Sequence, residues 1–206
     1  MSCLPTLARR WQRSSGVSGL LLESAQAHPG LPFLEDRFGH AMTDAETAGQ
    51  VRAFAGFLRR SGLKRGDRFA ILASNRAEVA VAVFATALAG GIFTILNPKL
   101  RPKGLAAILG QAEPFLIVVD PTTAATLEEV GGGGANLLVI GEAGWSEALS
   151  EDAFEKDWNG CDPDPVCLVF TSGSTGSPRG VTLSHDNLSY VVARNCADSF
   201  PGLRSS

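Results

Sequence analysis

Apolar residues recur along the chain with two alternating periods. Thr43 and Glu46 have capping-box spacing ahead of Val51, Phe54, Phe57 and Leu58, which fall on one face of a helix that Gly62 closes. Phe69 to Leu72 is a short apolar run, the pattern of a buried strand, and Arg76 to Ala89 is a helix apolar enough to require burial on most sides. The alternation continues with a strand at Ile92 to Leu96, a helix from Pro102 to Gln111 with proline in its first turn, and a strand at Phe115 to Val119. It runs on through Thr122 to Val130 and Leu137 to Ile140, with the glycine run 131 to 134 as a turn between them. Strands alternating with helices call for right-handed βαβ crossovers, so the expected fold class is α/β, a mostly parallel sheet with helices on both faces. Between Gly141 and Asp164 the pattern weakens, and Trp145 and Trp158 are the expected anchors of a partly helical connection.

Composition narrows the function classes. A chain of 206 residues with 45% hydrophobic content can build a sizeable core. A net charge of -3 provides no general basic surface for nucleic acid or anionic lipid, so any phosphate recognition must be local. Val79 to Leu96 lacks charge, but its alanines and the Gly90-Gly91 pair divide it into a helix-like half and a β-rich half, so no integral membrane segment is expected. Cys3, Cys161, Cys167 and Cys196 form neither a C-x-x-C pair nor a dense framework, and incidental thiols suit a cytoplasmic protein. Residues 1 to 15, with Arg9, Arg10 and Arg13 among serines, are expected to be a poorly ordered N-terminal extension.

Candidate chemistry concentrates at residues 168 to 180, where the apolar lead Val166, Leu168, Val169 and Phe170 stops in a loop of small hydroxylated residues closed by a cation. Thr171, Ser172, Ser174, Thr175 and Ser177 offer hydroxyl donors, and Arg179 offers a charged fork for oxygen anions. Gly173, Gly176 and Gly180 are expected to take φ > 0 and bring backbone N–H groups close to a polyanion, with Pro178 stiffening the exit. A flexible linker needs no strand-like lead, nor the strand-like exit at Val181 and Leu183. The dinucleotide fingerprint and the Walker loop both fit poorly.

The run from Thr171 to Val181, followed by Leu183-Ser-His-Asp-Asn187, closely resembles the signature loop of the adenylate-forming (AMP-binding) superfamily of acyl-CoA synthetases, peptide-synthetase adenylation domains and luciferases. The likeness extends upstream, in the family's order, to Gly66-Asp-Arg-Phe-Ala-Ile-Leu72 and to Ala87 through Pro98. Position 179 is usually Lys in that family; Arg keeps the charge and changes its geometry. The resemblance implies that residues 16 to 206 are a truncated N-terminal part of an adenylation domain, with the phosphate loop at 171 to 180. It implies ATP-dependent activation of a small-molecule carboxylate, Mg²⁺ as the metal, CoA or another thiol as acceptor, and fatty acids among the possible substrates. Thr171, Ser172, Gly173, Ser174, Thr175, Gly176, Ser177, Arg179 and Gly180 would contact the ATP phosphates. The acyl pocket, the acidic Mg²⁺ ligand and the catalytic Lys would lie beyond the chain's end, in a missing C-terminal part or a partner chain, leaving the chain alone inactive or nearly so. The alternative is a non-catalytic phosphate-binding or interaction module of the same family, and a dinucleotide oxidoreductase fragment is disfavoured by the missing fingerprint.

Other polar residues read as structural. His28, His40 and His185 lack ligand spacing, so no metal site is expected, and Ser184, Asp186 and Asn187 around His185 look like a capped helix start. Asp162 and Asp164, each followed by proline, read as a rigid polar turn; Glu128 and Glu129 read as a solvated helix end, and Asn97-Pro98 as a turn. No G-x-S-x-G elbow is present to expose a hydrolytic serine.

Overall fold

The computed structural model describes residues 16–131, 134–150, 152, 154, 164–171 and 178–199. The N-terminal extension, Trp158 and Asp162 lie outside the described residues. The elements run α1 (Val17–Ala27), β1 (Pro32–Glu35), β2 (Ala41–Thr43), α2 (Asp44–Arg60), β3 (Arg68–Leu72), α3 (Ala77–Leu88), β4 (Ile92–Ile95) and α4 (Pro102–Ala112). They continue with β5 (Leu116–Val119), α5 (Ala124–Val130), β6 (Asn136–Val139), α6 (Ala143–Leu149), β7 (Pro165–Thr171), β8 (Arg179–Ser184) and α7 (His185–Ser199). A six-stranded sheet has the order β6-β5-β3-β4-β7-β8. Its strands are parallel from β6 to β7, and β8 returns antiparallel to β7.

The period-two alternation of the strands assigns each side chain to a face. Phe69 and Ile71 of β3 and Leu116 and Val118 of β5 share a core with α1, α2, α3 and α6, whereas Ala70, Leu72, Ile117 and Val119 pack with Leu105, Ile108 and Leu109 of α4 and Leu127 of α5. This is the expected α/β arrangement, with helices on both faces. Phe54 of α2 lies at the centre of the first core: its ring is 4.9 Å from Trp145, 5.7 Å from Phe57 and 6.1 Å edge-on to Phe69. Burying such a ring contributes about 1.5–3 kcal/mol, so this one contact set is a substantial share of a domain's net stability.

Local signals set the element ends. The backbone N–H of Glu46 donates to Thr43 Oγ1 at 3.3 Å and that of Thr43 to Glu46 Oε2 at 2.8 Å, the reciprocal capping box at the start of α2. Gly62 follows the helix with φ 98°, a conformation costly to any residue with a Cβ. Pro102 occupies the first turn of α4, where its missing N–H costs nothing. Helix α3 carries no fully exposed residue, as its composition requires. Helix α1 and the β1–β2 hairpin were not anticipated from the sequence. The hairpin strands have four and three residues, too short to show a period, and both are held by tertiary contacts. Phe33 packs edge-on against Phe84 at 5.9 Å, and Ser18 Oγ donates to the Phe84 carbonyl at 2.7 Å.

Candidate functional site

All five parallel strands end on the same edge of the sheet, the side where ligands gather in open α/β folds. The signature segment leaves β7 there. Thr171 and Arg179 are the last register pair of the β7–β8 hairpin, so the segment between them is held at both ends by sheet hydrogen bonding. Thr171 Oγ1 donates to the Arg179 carbonyl at 3.4 Å, and Gln111 Nε2 of α4 donates to the Pro178 carbonyl at 3.1 Å. Both Thr171 and Arg179 are exposed, and among the described residues no carboxylate pairs with the Arg179 guanidinium. Ser172, Gly173, Ser174, Thr175, Gly176 and Ser177 lie outside the described residues.

Gly180 corrects one expectation. It is part of strand β8 and does not take positive φ. Its lack of a side chain matters for proximity instead: a Cβ at this position would lie 3.1 Å from Leu168 Cδ1 and 3.3 Å from Phe170 Cε1. Phe170 is its partner across the hairpin and packs into the α4 core. Glycine at 180 therefore leaves room for the Leu168 and Phe170 side chains in the register that places Arg179 opposite Thr171.

Asp120 and Ser74, not singled out by the sequence reading, organise the same edge. Asp120 follows β5, is 1% exposed, and accepts the Ser74 N–H at 2.8 Å and its hydroxyl at 2.7 Å through Oδ2. Its Oδ1 accepts the N–H groups of Thr122 at 2.8 Å and Thr123 at 3.1 Å. Burial pushes this carboxyl's pKa up, but the hydroxyls of Thr122 and Ser74 and the two backbone donors outweigh burial and hold it well below the usual carboxylate range. The signal available in the sequence was Val-Val-Asp-Pro-Thr-Thr, a strand running into an Asx-type turn.

The remaining residues have structural settings. His185 is buried, and its Nδ1 accepts the Val17 N–H at 3.1 Å, tying the start of α7 to the start of α1. Asn187 and Ser184 bond reciprocally, side chain to backbone, at 3.0 and 3.2 Å, the capped helix start read from the sequence. Asp164 pairs with Arg65 just before β7. Asn97 Oδ1 accepts the Lys99 N–H at 2.9 Å in the turn after β4, and Glu128 and Glu129 are exposed. Asp36, His40 and Glu78 bring three ligand atoms within 4.8 Å of one another. Arg76 occupies Glu78 at 3.2 and 3.3 Å, and Asp36 accepts from Phe38, His40 and Ala77, so the cluster serves as a polar clasp between the hairpin and the start of α3.

The geometry is therefore an antiparallel β7–β8 pair whose last register partners, Thr171 and Arg179, stand exposed at the carboxyl edge of the parallel strands. The family model for AMP-binding enzymes matches residues 21–204. The chain belongs to the AMP-binding enzyme family. Among curated members, it is 33% identical over 161 residues to a feruloyl-CoA synthase of Amycolatopsis sp., a match covering 78% of this chain and 31% of the relative. It is 29% identical over 197 residues to 4-coumarate–CoA ligase 1 of Oryza sativa subsp. japonica, covering 88% of this chain and 35% of the relative. ATP-bound MatB of Rhodopseudomonas palustris superposes with a TM-score of 0.78 at 25% identity, over 89% of this chain and 37% of that one. The chain thus spans about a third of the length of these AMP-binding relatives. Among the described residues no helix is long and apolar enough to cross a membrane.

Proposed function

We propose that this chain provides the phosphate-gripping part of an ATP-dependent carboxylate-activating ligase. In the reaction a carboxylate oxygen attacks the α-phosphorus of ATP, pyrophosphate leaves, and the resulting acyl-adenylate passes its acyl group to a thiol, CoA in the acyl-CoA ligase version. The barrier is electrostatic, because two anions meet and negative charge builds on the departing pyrophosphate. The observation that carries the reading is the β7–β8 hairpin, which anchors residues 172 to 177 between Thr171 and an exposed Arg179 at the carboxyl edge of the sheet. In this role Arg179 neutralises the β- and γ-phosphate oxygens, and Thr171 with Ser172, Ser174, Thr175 and Ser177 donates hydroxyl hydrogen bonds. Gly173 and Gly176 allow close approach of backbone N–H groups, and Gly180 holds the hairpin register.

Mg²⁺, when bound to the nucleotide, neutralises phosphate charge and draws electrons from the leaving group. The described residues at the loop's two ends offer a hydroxyl, carbonyls and a guanidinium and not the carboxylate oxygen this ion prefers, so no step here passes through it. The chain's share of the chemistry is to bind, orient and neutralise the pyrophosphoryl end. The proposed setting is cytoplasmic acyl metabolism, with fatty and aryl acids as the candidate substrate classes, supported by the acyl-CoA-forming relatives.

ATP titration of the chain by calorimetry, with Arg179→Ala alongside, tests the reading. Binding that weakens about 10- to 100-fold in the variant is expected from the loss of a charge-assisted contact. Equal affinity in both proteins, or no affinity in either, would leave the loop without a phosphate role. Robust carboxylate-dependent ATP–pyrophosphate exchange by the isolated chain would show that it needs no further machinery.

A further inference from the structure

The turn between β1 and β2 and the start of α3 bring a separate set of polar groups together. Asp36 Oδ1 accepts the N–H groups of Phe38 at 2.8 Å and His40 at 3.1 Å, and the Asp36 N–H donates to the His40 carbonyl at 2.9 Å. The turn itself therefore fixes Asp36 and His40 relative to each other. Asp36 Oδ2 accepts the Ala77 N–H at 3.1 Å and faces His40 Nδ1 at 3.5 Å, while Glu78 Oε1 lies 3.9 Å from the same imidazole nitrogen. One nitrogen and two carboxylate oxygens thus converge within 4.8 Å of one another. The Asp36 side chain is 5% exposed and that of Glu78 17%, whereas His40 stays open to solvent. The set joins two segments far apart in the chain, so ligand spacing along the sequence does not reveal it.

Charge and geometry both suit a small cation. With a neutral imidazole, Arg76 is the cation bonded to this set among the described residues, and two carboxylates against one guanidinium leave the set negative. Three ligands around a tetrahedral zinc ion stand roughly 3.3–3.5 Å apart, given metal bonds of about 2.0–2.2 Å. The Asp36–His40 distance already matches, and rotation of the exposed His40 ring with a small movement of Glu78 closes the rest. Arg76 is the competitor, donating to Glu78 Oε1 from Nη2 at 3.2 Å and to Oε2 from Nε at 3.3 Å. It can give up Oε1 and keep Oε2, because its guanidinium also lies over the Phe38 ring at 5.2 Å. The backbone N–H bonds to Asp36 would then act as the outer partners that hold a metal-binding carboxylate in place.

We propose that Asp36, His40 and Glu78 bind a divalent zinc ion that staples the β1–β2 hairpin to the start of α3. An imidazole ligand and a set of three protein donors favour zinc over calcium, which takes six to eight oxygens. Water completes the tetrahedron on the exposed side of His40.

Calorimetric titration of zinc chloride into the metal-stripped chain tests the proposal, with Cys3, Cys161 and Cys196 replaced by serine so that thiols do not compete. One equivalent is expected to bind, and free zinc at a hundred times Kd is expected to raise the melting temperature by about 5–10 °C. His40→Ala, at an exposed position that folding does not need, and Glu78→Gln are each expected to weaken binding about 100-fold. Arg76→Gln releases Glu78 Oε1 and is expected to tighten it about 2- to 5-fold, a gain that a purely structural clasp would not give. No saturable binding, equal affinity in the parent chain and His40→Ala, weaker binding in a folded Arg76→Gln, or calcium bound as tightly as zinc would each overturn the proposal.

Discussion

Asp120 reaches from the end of β5 to the end of β3, where its Oδ2 accepts both the N–H and the hydroxyl of Ser74 at 2.8 and 2.7 Å. This bond set ties together two neighbouring strand ends at the same edge of the sheet where β7 ends at Thr171. Asp120→Asn removes the charge from a buried, multiply bonded acceptor and is expected to cost about 2–3 kcal/mol at pH 7. The folded carboxyl sits well below its unfolded value, so its stabilisation is fully present above the unfolded pKa of about 4 and fades as pH falls towards the folded value. Urea unfolding of both proteins at pH 7, 5 and 3 checks this: the stability gap should hold between pH 7 and 5 and narrow at pH 3. A gap of constant size would refute the pairing.

Arg179 is exposed at the end of the hairpin, and a lysine there would keep its charge while losing the planar fork. Arg179→Lys is expected to retain most phosphate affinity, and Arg179→Ala to lose about 10- to 100-fold, with unfolding midpoints unchanged in both because the side chain is exposed. Calorimetric ATP titration beside thermal unfolding separates a ligand contact from a structural one.

Gly180→Val would drive a branched side chain against Leu168 and Phe170, which already lie 3.1 and 3.3 Å from the place of a Cβ. The expected destabilisation is about 1–3 kcal/mol, with weakened phosphate binding as the Thr171–Arg179 register loosens. Hydrogen exchange across residues 165 to 184 would report the hairpin directly; unchanged protection would argue against a register role.

Gly16 has φ 75°, and a Cβ there would come within 2.6 Å of His185 Nδ1. Gly16→Ala is expected to cost about 2–4 kcal/mol, part from backbone strain and part from the clash. In a His185→Ala background the clash disappears while the strain remains, so a double-mutant cycle should show a coupling of about 1 kcal/mol or more. Simple additivity would mean the two residues do not meet.

Cys167 is buried in the row beneath α7, and burial pushes its thiol up to about 11. Its neutral form is favoured by folding, an effect present below the unfolded pKa and lost only as pH rises through the folded value. In a variant with Cys3, Cys161 and Cys196 replaced by serine, reaction with a disulfide reagent at pH 8 is expected to proceed only as fast as unfolding. A burst comparable to the denatured protein would contradict the burial.

The α/β class was legible in the chain's own pattern, because long helices and buried strands write their periods over enough residues to be seen. Capping chemistry at Thr43 and Glu46 fixed the start of α2 for the same local reason, and the ordered run of small residues through 180 carried the likeness to the AMP-binding family. Short elements escaped: β1 and β2 carry too few residues for a period and exist because Phe33 finds Phe84. The tertiary structure alone decided what depends on chain segments far apart in sequence. It placed Ser74 under Asp120, put His185 against Gly16, and moved Gly180 from an expected positive-φ loop position into a strand position that makes room for Phe170. It also left Ile95, Val169 and Val181 uncovered side by side, since burial is a property of what packs against a strand and not of the strand's own residues.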